Sequence, residues 1–153
     1  MGRILSSATS LYAIVFAGAT YFALRRPGSE VTQENLMLRL NYKTRALRNM
    51  SQEIEELGPQ VPSETLYTML SLAAFGSAEK LQPPPQQEHE SPLAIAHDLD
   101  FYCRLPCEWA HLRALSHLLK ERGGLAAVNR PGFAVALQLC VITTTRSYCM
   151  LTM

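Results

Sequence analysis

Between Arg3 and the Arg25-Arg26 pair lie 21 uncharged residues, ILSSATSLYAIVFAGATYFAL, and no acidic residue precedes Glu30. No other feature restricts the fold as strongly, because a run this apolar needs an apolar environment on almost every side. As a helix rising about 1.5 Å per residue, Ile4 to Leu24 would cover roughly 31 Å, close to the roughly 30 Å hydrocarbon core of a bilayer. The expectation is therefore a single N-terminal transmembrane helix, within a membrane anchor at residues 1–28. The hydroxyls of Ser6, Ser7, Thr9, Ser10 and Thr20 can bond back to helix carbonyls, which weakens such a span without forbidding it. Thr9, Ala13 and Ala17 stand four apart, a small-residue face on which a second helix can approach closely inside the membrane. Arg25, Arg26 and Arg39 outweigh Arg3 and favour keeping the C-terminal side in the cytosol or matrix.

Three rival readings compete with the anchor. A secretory signal cleaved after Ala19 would use Ala17-Gly18-Ala19, but its apolar core, Leu11 to Phe16, is short for that purpose. It remains the basis of an alternative, a secreted or lumenal protein. A mitochondrial presequence shares the acid-free, Arg-flanked look, yet this run is apolar all round instead of amphipathic. The third rival is a helix buried in a folded core, which the length of the run disfavours. The resulting expectation is an uncleaved anchor in a mitochondrial membrane, inner before outer, with the endoplasmic reticulum membrane as the alternative.

Beyond the anchor, Pro27-Gly28 breaks the helix and Ser29 can cap a new one over Glu30 to Leu57, stopped by Gly58 and Pro59. Leu36, Leu40, Lys43, Leu47, Met50, Ile54 and Leu57 fall on an a/d heptad register with one polar member. This seam predicts a coiled-coil-like helix that binds another protein or a second copy of itself, against the plainer outcome that it folds back on its own chain. Arg39, Lys43, Arg45 and Arg48 form a basic middle block, suited to solvent or to anionic headgroups, and Glu53, Glu55 and Glu56 follow. A short helix from Glu64 to Phe75, capped by Ser63, should fold back as a hairpin through Leu66, Met69, Leu70 and Ala73. Residues 29–76 are thus read as one unit.

Residues 77–90, with Pro83-Pro84-Pro85 between glutamines, read as a linker. Residues 91–153 read as a small helical or partly disordered C-terminal region. Within it, Ser91-Pro92 restarts helix. Pro106 can open another helix to Arg122, with Trp109, Leu112, Leu115 and Leu119 on its apolar face and Gly123-Gly124 as its stop. Gly132 to Thr145 is apolar and β-branched towards its end, which suggests a strand or an interfacial segment.

Chemistry is sparse. His89, His97, His111 and His117 cluster near Cys103 and Cys107, and Cys107 with His111 has the i, i+4 spacing of helical metal ligands. Cys103, Cys107 and His111 are therefore weak candidates for a Cys/His metal-binding module, although their spacing follows no zinc-finger pattern, and no cofactor is expected. Nucleophile elbows, phosphate loops and dinucleotide fingerprints are absent from the sequence, so no catalytic residue is expected. With 14 Lys and Arg against 13 acids, there is no overall charge argument for nucleic acid. The chain reads as mainly α, a membrane-anchored interaction protein acting as accessory subunit or assembly factor, with the lipid bilayer and another protein as partners.

Overall fold

The computed structural model describes residues 8–25, 32–76, 105, 107–128 and 130–151, and side chains within these ranges except at 24, 25 and 143–151. Among the described residues the chain is helical, with no strand: α1 (Ala8–Arg25), α2 (Gln33–Leu57), α3 (Ser63–Phe75), α4 (Trp109–Glu121) and α5 (Phe133–Leu151), plus 3-10 turns at Gly58–Gln60 and Leu125–Ala127. The expected mainly α class holds. The single membrane span does not gain support, since among the described residues no helix is long and apolar enough to cross a membrane.

Instead of standing apart, α1 packs along α2 and α3. Its register is antiparallel to α2. At one end Thr9 Oγ1 donates to Glu53 Oε1 at 2.5 Å, and at the other Arg39 Nε donates to Thr20 Oγ1 at 3.0 Å. Thr9, Ala13, Phe16, Thr20 and Ala23 form the buried side of α1, so the face that includes Thr9 and Ala13 does admit a close neighbour, but that neighbour is the same chain. Ala17 is half-buried beside it. The correction has a simple physical reason: Ala, Phe and Thr side chains fill a protein interior as readily as lipid, and the hydroxyls gain partners there that hydrocarbon lacks.

Local signals fix the helix ends. Thr32, not the expected Ser29, caps α2, its Oγ1 accepting from the Asn35 N–H at 3.3 Å. Gly58 closes α2 at φ 53°, ψ −131°, a region that side chains with a Cβ rarely adopt. The turn through Pro59 and Pro62 sends the chain into α3, as the hairpin reading requires.

The central element is α3, which packs against α1, α2, α4 and α5. Seven of its 13 residues are buried: Thr65, Leu66, Thr68, Met69, Leu70, Leu72 and Ala73. Both halves of the sequence meet there in one apolar cluster, in which Phe16, Leu66, Met69, Leu72, Leu115 and Phe133 are almost wholly enclosed. Burying each such side chain contributes about 1.5–3 kcal/mol relative to leaving it in water.

Polar contacts set the directions. The Glu108 N–H donates to Ala73 O at 2.8 Å, and Lys43 Nζ donates to Gly76 O at 2.5 Å, so two carbonyls at the C-terminal end of α3 are satisfied from outside the helix. Arg122 Nη1 donates to Val61 O at 2.5 Å, just ahead of α3, which makes α4 antiparallel to it. Gly123 and Gly124, both at φ above 90°, then stop α4 as expected. Arg130 pairs with Glu64, Tyr67 Oη donates to Pro131 O at 3.1 Å, and the Tyr67 and Phe133 rings meet edge to face at 4.9 Å. These contacts seat the start of α5 on α3.

The tail read as strand or interfacial segment is helix throughout Phe133–Leu151. The β-branched Val141-Ile142-Thr143-Thr144-Thr145 run lowers helix propensity by a few tenths of a kcal/mol per residue, less than the anchorage of Phe133 provides. The Pro-rich stretch at 77–90 and the helix expected after Ser91 lie outside the described residues.

Candidate interaction surface

Packing consumes only one side of α1. The positions left exposed are Ala8, Leu11, Ile14, Gly18 and Phe22, so the outer side is as apolar as the inner one. Ile14 retains 47% and Phe22 73% of its accessible surface. A helix apolar on both sides, with one side left uncovered by the other described residues, is an exposed patch of the kind that marks membrane or protein contact.

A second exposed group lies at the start of α2. Because α1 and α2 run antiparallel, this end sits near the Phe22 end of α1. Leu36, Met37, Leu38 and Leu40 are all exposed, Met37 at 61%.

The heptad seam divides along its length. Met50 is buried, Lys43, Leu47 and Ile54 are half-buried, and Leu36, Leu40 and Leu57 are exposed. Leu47, Met50 and Ile54 pack into the chain's own core, and Lys43 spends its ammonium on Gly76 O. The middle of the seam is therefore occupied internally, and its two ends, Leu36 with Leu40 and Leu57, face outward.

Arg39 is the residue that sequence reasoning placed wrongly. Read as part of a basic block facing solvent or anionic headgroups, it is buried at 2% exposure. Its Nε bonds Thr20 Oγ1, which in turn donates to Phe16 O at 2.8 Å. The only sequence signal was its spacing seven residues before Ala46 and eleven before Met50, both buried. Arg45 and Arg48 do remain exposed, with Arg45 5.7 Å from the Tyr12 ring centroid.

Of the metal candidates, Cys103 lies outside the described residues. Cys107 and His111 do not share a helix, because α4 begins at Trp109 with Glu108 as its N-cap. Cys107 is partly buried and packs against the apolar cluster. Among the described residues no group of three or more His, Cys, Asp or Glu could hold a metal ion.

His111 has a different consequence. Burial holds its pKa below the ordinary 6.5, with Glu108 opposing the shift and Lys43 adding to it. A histidine kept neutral by the fold takes up its proton more readily when unfolded, so stability rises with pH across the interval between the depressed folded value and 6.5. Its contribution is complete above 6.5 and is lost as pH falls through the folded value. Urea unfolding between pH 5 and pH 7 should show this slope, and His111→Gln should flatten it; an unchanged slope in the variant would assign the proton uptake to other groups.

No protein-family model matches the chain, and neither the curated proteins nor the solved structures contain a significant match.

Proposed function

We propose that this chain is a membrane-associated interaction protein in which the outer side of α1 seats in a bilayer and the helical bundle behind it presents the start of α2 to a protein partner. The observation that carries the reading is the exposed stripe of Leu11, Ile14, Gly18 and Phe22 on a helix without a charged residue from Ala8 to Leu24. A helix lying in the interface needs only one apolar side, buried about 5–10 Å deep, so the shortness of α1 is no obstacle. In the sequence Arg25 and Arg26 follow Leu24 directly, and basic residues next to an interfacial segment favour anionic headgroups.

The protein side of the proposal rests on Leu36 and Leu40, the exposed first turns of the heptad seam, with Met37 exposed beside them and Leu57 at the other end of α2. A role as accessory subunit or assembly factor follows from that pairing of a lipid-facing helix with a partner-facing one. The acid-free, Arg-flanked N-terminus favours a mitochondrial membrane.

Fractionation of cells expressing the tagged full chain tests this. The protein should sediment with mitochondrial membranes, and Ile14→Glu with Phe22→Glu should shift most of it to the soluble fraction without altering its circular dichroism. Alkaline carbonate should release the unmodified chain, as expected for an interfacial helix; retention would favour a spanning one. A protein that is soluble before any substitution would overturn the proposal.

A further inference from the structure

Charge along the sequence is divided in a way that the helices make meaningful. All 13 Asp and Glu residues lie between Glu30 and Glu121, whereas Arg3, Arg25, Arg26, Arg122, Arg130 and Arg146 lie outside that interval. The two acid-free ends of the chain coincide with α1 and α5.

The likeness extends to exposure. On α5, Val135, Leu139 and Ile142 follow one another at i, i+4 and i+7 and retain 60%, 49% and 52% of their surface, with Val141 exposed beside them. Phe133 and Cys140 are buried on the other side, and Ala136 and Leu137 pack on the core. From Phe133 to Thr145 there is no charged residue. Like α1, α5 is apolar on the side that the core takes and mostly apolar on the side that it does not, where Gln138 is the one polar position among the exposed residues from Ala134 to Ile142. Arg130, at the entry to α5, is tied to Glu64, and Arg122 to Val61 O, so the basic residue in the sequence of α5 itself is Arg146.

We infer that the outer face of α5 is a second bilayer contact, and that the two acid-free helices together direct the protein to anionic lipid. The inference rests on the reading of α1 as an interfacial helix. Charge complementarity selects the occupant: two mostly apolar helices whose sequences carry arginine (Arg25, Arg146) and no acid match a leaflet of negative headgroups over hydrocarbon.

Hydrogen exchange on the full chain, with and without vesicles, tests it. The vesicles are phosphatidylcholine alone, or phosphatidylcholine mixed with phosphatidylserine. Amides of α1 and of residues 133–142 should slow with the phosphatidylserine vesicles, less with phosphatidylcholine alone, and the difference should shrink as salt is raised. Val135→Ser with Leu139→Ser should weaken vesicle binding roughly tenfold while exchange in α2, α3 and α4 shows the fold intact. Protection of α1 without α5 would overturn the inference and leave the proposed function standing. Equal protection of α5 by both vesicles would overturn the anionic preference. Protection of neither helix would overturn both readings.

Discussion

Replacing Phe16 with alanine is expected to lower the unfolding free energy of the whole helical assembly by about 3–5 kcal/mol, the usual cost of emptying a fully enclosed aromatic site. Phe16 is completely buried, in the same cluster as Leu66, Met69 and Leu115. Domains of this size are stable by only about 5–15 kcal/mol, so the variant should melt roughly 10 °C or more lower. The measurement is thermal and urea unfolding of the full chain by circular dichroism. It also separates two architectures. If α1 were an independent anchor, Phe16→Ala would leave the melting of α2 to α5 unchanged, and such a result would refute the packing described above.

Glu53→Ala should be nearly as damaging, for a different reason. The two oxygens of Glu53 accept from Thr9 on α1 and Thr65 on α3, so one carboxylate on α2 ties three helices together. Thr9 and Thr65 are themselves buried. Alanine would leave two enclosed hydroxyls without an acceptor and remove two charge-assisted bonds, a loss of about 3 kcal/mol. Glu53→Gln keeps the shape but offers only one accepting oxygen, and should lose about half as much. Glu55→Ala, two residues on and exposed, serves as the control and should leave the urea midpoint in place. A midpoint for Glu53→Ala that matches the control would show that the Thr9 and Thr65 hydroxyls find other partners.

The parts of the fold that could be read from sequence are those set by local chemistry. The end of α2 at Leu57 and the stop after α4 follow from Gly58 and from Gly123-Gly124, whose backbone preferences act within a few residues; α3 ends at Phe75 as read, but it begins at Ser63 with Pro62 as N-cap, so Ser63 is its first residue and not its cap. Hydrophobic periodicity found the inner side of α4, where Leu112, Leu115 and Leu119 are buried as expected, although Trp109, read on the same face, is 40% exposed at the start of the helix. Periodicity does not say what covers a stripe. Leu47, Met50 and Ile54 look the same whether they meet a foreign helix or their own chain, and Ala13 and Phe16 suit lipid as well as a protein core. Arg39 was misplaced because the cost of burying a guanidinium makes solvent the default expectation, and the Thr20 hydroxyl that receives it is distant in sequence. α5 was missed because a β-branched run argues against helix until the Tyr67 ring, 66 residues earlier than Phe133, is known to hold its first turn.

Because α3 is shared by both halves of the chain, synthesis imposes a waiting time on it. At about 5–20 residues per second, roughly 2–9 s separate the emergence of Phe75 from that of Glu121. During that interval α1 and α2 can already cover their sides of α3, while the sides reserved for α4 and α5 stay open to water. The nascent chain therefore passes through a stage that is sticky by construction, and a cell making this protein quickly must shield that half-finished helix or lose a share of the product to aggregation.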